Sequence, residues 1–206
     1  MRDAQPVERD FHLVGGLLCL DLVNTEAMRR GEPVDLLTTF GDLVEWLGSA
    51  GALGRADARA ARERWGSTPH ADAVLREAKR LRGALRGMAE RMAAGREPGD
   101  EALRVINEVL AARPGHPQVV RDGQRYATRF QPVGDSPAHL LAPVAESAAW
   151  LLASGDASLV RRCENERCML VFYDTTKNKR RRWCSMQACG SRAKSAAYYR
   201  RKRRDP

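Results

Sequence analysis

The chain has 206 residues, 43% of them hydrophobic, and a formal net charge of +9. That apolar content is ample for a packed core, but the longest apolar run, Leu17 to Val23, holds Asp21 and is too short to span a bilayer. It also lacks the basic flank and small-residue cleavage site of a signal peptide, so a cytoplasmic protein is expected, with no membrane partner.

Residues 1–10 are polar. Phe11 to Val14 reads as a short strand, ended by Gly15-Gly16. Leu17 to Met28 has apolar residues at helical spacing, and Gly31-Glu32-Pro33 then breaks the chain. Thr38 or Thr39 can cap a helix running to Ser49, and Asp57 to Trp65 predicts a shorter one. The strongest helical pattern runs from His70 to Ala94. There Val74, Leu75, Ala78, Leu81, Leu85, Met88 and Met92 recur at three and four residues, with arginines opposite. Pro98-Gly99-Asp100 opens a further helix to Ala112. The period changes around Val119-Val120, Tyr126, Thr128 and Phe130, where Asp122-Gly123 predicts a hairpin turn. Ser136 or Pro137 starts a helix to Ala153, and Gly155-Asp156 marks a junction.

Beyond that junction the composition changes. From Arg161 to Arg204 there are fifteen basic and three acidic residues, whereas residues 1–160 hold twenty basic and twenty-two acidic ones. A near-neutral body with a cationic end implies a polyanionic partner, nucleic acid first. Four cysteines stand in the same stretch as Cys163-x4-Cys168 and Cys184-x4-Cys189, fifteen residues apart. In a reducing compartment, paired thiols at this spacing point to a metal site rather than disulfides, and zinc is the usual occupant. The only histidine after Pro137 is His139, so the ligand set is all thiolate, Cys163, Cys168, Cys184 and Cys189. Such a closed set is structural rather than catalytic. The order is two ligands in a loop, a hairpin from Met169 to Trp183 turning at Asp174 to Asn178, then two ligands at a helix start. That arrangement is treble-clef-like, and removal of zinc is expected to unfold residues 158–206 preferentially.

Around the ligands, Lys179, Arg180, Arg181 and Arg182 precede the third cysteine, and Arg192, Lys194, Arg200 and Arg203 follow the fourth. On a helix Arg192, Ala196, Tyr199 and Arg203 share one face, which is expected to meet a duplex; Tyr198 and Tyr199 could instead stack on single-stranded bases.

Trp183-Cys184-Ser185-Met186, Cys189-Gly190-Ser191-Arg192 and Lys194 resemble the CGNR zinc finger family, as do Phe172 to Thr176 and the basic run Lys179 to Arg182. Residues 16–26, GLLCLDLVNTE, resemble the start of the helix-rich ABATE domain that precedes such fingers. The resemblance implies a bacterial transcription regulator whose finger binds DNA. Ser191 departs from it, since the family has asparagine there. Serine can replace an asparagine that caps a helix but not one that reads an adenine edge with two bonds.

The expected architecture is therefore mainly α with a small antiparallel β-hairpin: a helical N-terminal domain, residues 1–155, and a treble-clef-like zinc finger, residues 156–206. The body carries no G-x-S-x-G, phosphate loop or H-E-x-x-H, so no enzyme is expected. Cys19 reads as a small buried hydrophobe. Asp21, Asn24 and Thr25 interrupt an apolar helix and admit two readings. One is a polar network meeting an arginine between Arg76 and Arg86; the other, supported by the resemblance, is a small-molecule sensing pocket with His12. An RNA- or ribosome-associated protein, an enzyme of unrecognised type with a structural finger, and a module docking an acidic protein are the rival functions. Oligomeric state is not legible.

Overall fold

One long helix lies at the centre of the core of the body. The computed structural model describes residues 11–112, 115–134, 136–195 and 199. The long helix, α4 (Pro69–Ala93), starts with proline at its first position and buries Val74, Leu75, Ala78, Leu81, Leu85, Met88 and Met92 along one stripe. Helices α1 (Leu18–Val23), α2 (Phe40–Ser49) and α5 (Asp100–Ala111) pack on it, and α6 (Ala142–Ser154) closes the core against α1 and α5. Helix α3 (Arg55–Trp65) packs on α2. Thr39 caps α2 through a reciprocal box: its hydroxyl accepts from Asp42 N–H at 3.2 Å, and Asp42 accepts from Thr39 N–H at 2.7 Å.

Three two-stranded antiparallel sheets complete the fold. The first, β1 (Glu26–Arg29) with β2 (Glu32–Asp35), corrects the expectation of one helix from Leu17 to Met28. Helix α1 stops at Val23, where the Asn24 side chain bonds to Val171 and Thr25 Oγ1 donates back to Leu22 O at 2.6 Å. What reads as a break at Gly31 is a two-residue hairpin turn, with positive φ at both Arg30 (53°) and Gly31 (94°). Phe11 to Val14 is extended but forms no strand.

The second sheet is the expected hairpin, β3 (Gly115–Asp122) with β4 (Arg125–Pro132), but Asp122 pairs with Arg125, so the turn is Gly123-Gln124 rather than Asp122-Gly123. The segment expected as one helix from Ser136 begins as a 3-10 turn, Pro137–Leu141, before α6.

In the third sheet, β5 (Val160–Arg162) pairs with β6 (Val171–Tyr173). The hairpin of the cysteine region thus lies on either side of the first cysteine pair, not between the two pairs. Residues 174–183 are irregular instead, because their backbone is held by the Asp174 carboxylate rather than by a strand partner.

The main core does not stop at the Gly155 junction. Val160, Val171 and Tyr173 belong to the same buried cluster as α1, α4 and α6, while Ala27 of β1 packs with the four cysteines, Leu170 and Phe172. Among the described residues no helix is long and apolar enough to cross a membrane.

Candidate metal centre and nucleic-acid interface

The β5–β6 hairpin carries Cys163 and Cys168 in its loop, and Cys163 N–H donates to Leu170 O at 3.0 Å, extending the ladder to the first ligand. Of the second pair, Cys184 precedes and Cys189 lies within a five-residue π-helical turn, Met186–Gly190, whose entry is capped by Ser185 Oγ accepting from Ala188 N–H at 3.3 Å. Residues 191–195 continue as α-helix.

All four sulfurs lie within 4.8 Å of one another and are buried. The Cys168–Cys184 and Cys184–Cys189 separations are 3.8 and 3.6 Å. A tetrahedron of zinc–sulfur bonds of about 2.3 Å has edges of about 3.8 Å, so the donor set fits one zinc ion. Asn165 Nδ2 donates to Cys189 Sγ at 3.3 Å, the kind of second contact that orients a ligand. Crowding also sets the thiols against one another. Hydrogen bonds from Cys168 and Cys184 pull Cys163 down, and the bond with Cys163 pushes Cys168 up.

The cationic residues expected to meet nucleic acid divide into two groups. Arg180, Arg182, Arg192, Lys194 and Tyr199 are exposed on the surface around the cysteines, and so is Lys179. Arg182 also pairs with Glu164 at 2.7 Å and lies over the Trp183 ring at 4.8 Å. Arg181 stands apart from them. Its guanidinium stacks on Phe172 at 4.1 Å and donates to Trp183 O at 3.0 Å, to Val14 O at 2.9 Å and to Cys184 O. It is a half-buried brace between the finger and the amino-terminal segment, with three of its five N–H donors on backbone carbonyls. Arg200 and Arg203 lie outside the described residues, as do Ala196 and Tyr198, so the expected helix face is described only at Arg192 and Tyr199. Ser191 Oγ donates to Met186 O at 3.1 Å, and the capping role falls to Ser185.

The polar residues in and after α1 bond to different elements. Asn24, fully buried, donates through Nδ2 to Val171 O at 2.9 Å and accepts from Val171 N–H at 3.0 Å. Thr25 Oγ1 accepts from Arg82 Nη1 at 3.0 Å. Asp21 accepts from Gly15 N–H at 2.7 Å; burial pushes it from 3.8 up to about 6, against that bond and the charge of Arg181. His12 is half-buried in the segment before them. Asn24 and Thr25 thus face different partners, the finger and α4.

Arg82, itself 3% exposed, makes a bidentate pair with Asp35 at 2.6 and 2.9 Å and reaches Glu26 at 3.1 Å, fixing the β1–β2 hairpin on α4. Burial raises Asp35, but hydrogen bonds from Arg82 and Lys79 outweigh it and hold the carboxyl well below its usual range. Sequence reasoning missed three structural residues: Asp174, Arg181 as a brace, and Gly16. Gly16 has φ of 73°, and a Cβ there would stand 2.9 Å from Tyr173 O, so a side chain is excluded where the amino-terminal segment crosses the finger. The adjacent Tyr173 N–H donates to Gly15 O at 2.7 Å.

Residues 16–155 match the family model ABATE, described as "Putative stress-induced transcription regulator". Residues 160–202 match the CGNR zinc finger. No curated protein matches the chain.

Proposed function

The chain belongs to the ABATE family and ends in a CGNR zinc finger, and from that premise we propose that it is a zinc-dependent DNA-binding transcription regulator. The observation that carries the reading is the conjunction of a closed, buried four-cysteine site with exposed cations, Arg180, Arg192 and Lys194, on the surface around it. Zinc would hold the hairpin and the helix that bear these groups, and the groups would neutralise phosphates. Such contacts give affinity without sequence information, so the finger is read as a phosphate grip first.

The protein is read as a binder rather than an enzyme, because the four ligands leave no position for substrate on the metal. The body would act on the finger through shared core and the Asn24 and Arg181 bonds. If it senses a small molecule, the ligand does not use Asn24 or Thr25, which are at most 1% exposed. A shallow groove between α2 and α3, lined by Arg55, Arg59, Arg62, Glu45 and Glu63, is the alternative place.

The test is an anisotropy titration of zinc-loaded protein against labelled duplex DNA, with structured RNA as competitor. Displacement by DNA but not by equal RNA supports the reading. Preference for RNA transfers the same site to the ribosome-associated alternative.

A further inference from the structure

Between the two cysteine pairs, residues 175–180 (Thr-Thr-Lys-Asn-Lys-Arg) form a loop exposed at every position, with three cations and no acid. Exposed cationic loops are usually mobile, because side-chain and backbone entropy favour it. This one is tied from beneath by a single fully buried carboxylate, Asp174. Its Oδ1 accepts from Thr176 N–H at 3.0 Å and from Thr176 Oγ1 at 2.5 Å, and its Oδ2 accepts from Arg181 N–H at 2.9 Å. The two ends of the loop are thereby fastened to one side chain. Lys179 closes the arrangement. It sits at φ of 51°, a left-handed conformation costly for lysine, with its N–H on Thr176 O at 3.2 Å and its carbonyl accepting from Arg161 at 2.9 Å. Its ammonium reaches Asp174 O at 3.2 Å.

A buried acid beneath a cationic loop lowers the local positive potential, so charge alone does not account for it. Shape does. We propose that residues 175–180 are a preformed DNA-backbone-binding loop, in which Lys177 and Arg180 contact phosphates and Asp174 is the positioning residue that sets their spacing. The inference rests on the DNA-binding reading above and adds to it a second contact element, separate from the helix that bears Arg192.

Asp174→Asn separates shape from charge. The substitution makes the finger more positive, so a purely electrostatic grip would bind duplex DNA as tightly or more tightly. The preformed loop predicts the reverse, about tenfold weaker binding, because an amide cannot accept from both ends of the loop. The full-length protein is loaded with Co2+, whose absorption reports an intact four-thiolate site, and titrated with duplex DNA by anisotropy. Thr176→Val is the second variant: it removes one donor to Asp174 without changing charge, and binding should fall several-fold with an unchanged salt slope. Weaker binding by either variant, with the cobalt spectrum retained, supports the loop. If Asp174→Asn loses the cobalt spectrum, Thr176→Val decides alone. Wild-type binding together with undiminished binding by both variants, or by Thr176→Val where Asp174→Asn has lost the cobalt spectrum, overturns the loop and leaves the DNA-binding reading standing. Absence of DNA binding by the wild-type protein overturns both.

Discussion

Asn24 pairs with Val171 as a neighbouring strand would, its amide nitrogen donating to the Val171 carbonyl at 2.9 Å and its amide oxygen accepting the Val171 N–H at 3.0 Å. The two residues are 147 positions apart, one at the end of the first helix and the other in the finger hairpin. No other side chain of similar size offers both a donor and an acceptor in one plane, save glutamine, which is longer.

Asn24→Ala should therefore leave two buried backbone groups without partners and destabilise the protein by about 2–4 kcal/mol. Asn24→Asp keeps the acceptor, loses the donor and buries a charge, so it should be no better. Urea denaturation followed by far-ultraviolet circular dichroism checks both. Because Val160, Val171 and Tyr173 lie in the main core, body and finger should unfold in one transition for the zinc-loaded wild type. An Asn24→Ala protein as stable as wild type would show that the pair does not hold the finger on the body.

Metal removal should reach beyond the finger. Zinc ligation free energy is folding free energy for so small a module, and the hairpin it organises supplies core residues to the body. After chelation, residues 160–195 should lose protection from hydrogen exchange, and the body should melt at a lower temperature than the loaded protein. A melting temperature unchanged once zinc has been shown to leave would contradict this.

The pH dependence has a calculable sign at Asp21. Its folded value, about 6, lies above the ordinary 3.8, so the folded state holds the proton more tightly than the unfolded chain. The stabilising contribution of protonation is fully present below about 4 and is lost as pH rises through about 6. With partial exposure discounted, the effect is about 2 kcal/mol. Asp21→Asn keeps the oxygen that accepts from Gly15 and removes the titration. The stability difference between variant and wild type should grow in the variant's favour from pH 4 to pH 7. A constant difference across that range would remove Asp21 from the account.

Adjacent arginines should behave oppositely. Arg181→Gln removes a brace with three carbonyl partners and a ring contact, and should cost about 2–3 kcal/mol of stability. Arg180→Gln, exposed, should change stability by less than about 0.5 kcal/mol while lowering the salt slope of DNA binding by about one. Thermal melts and salt titrations of the two variants check the division.

These contrasts explain what was legible beforehand. The cysteine spacing and the apolar stripe of α4 are local patterns, and both appear in the structure as read. The Thr39 cap was legible for the same reason, since its partner is three residues away. Arg181 was not, because a run of four cations looks alike from outside, and only the ring of Phe172 and the carbonyls beneath it make one of them a brace. The β1–β2 hairpin was hidden by a turn led by arginine in a left-handed conformation, which propensity does not suggest. Asn24 and Thr25 read as an anomaly in an apolar helix because their partners, Val171 and Arg82, are distant in sequence.

The central claim is that a zinc-built finger presents cations to DNA phosphates. Its most direct test is the affinity of the zinc-loaded full-length protein for duplex DNA between 50 and 200 mM salt. With roughly six phosphates neutralised, log K should fall against log salt with a slope of about −5. The zinc-depleted protein should lose that binding. Affinity unchanged across the salt range, or retained in full after zinc has left, would contradict the claim.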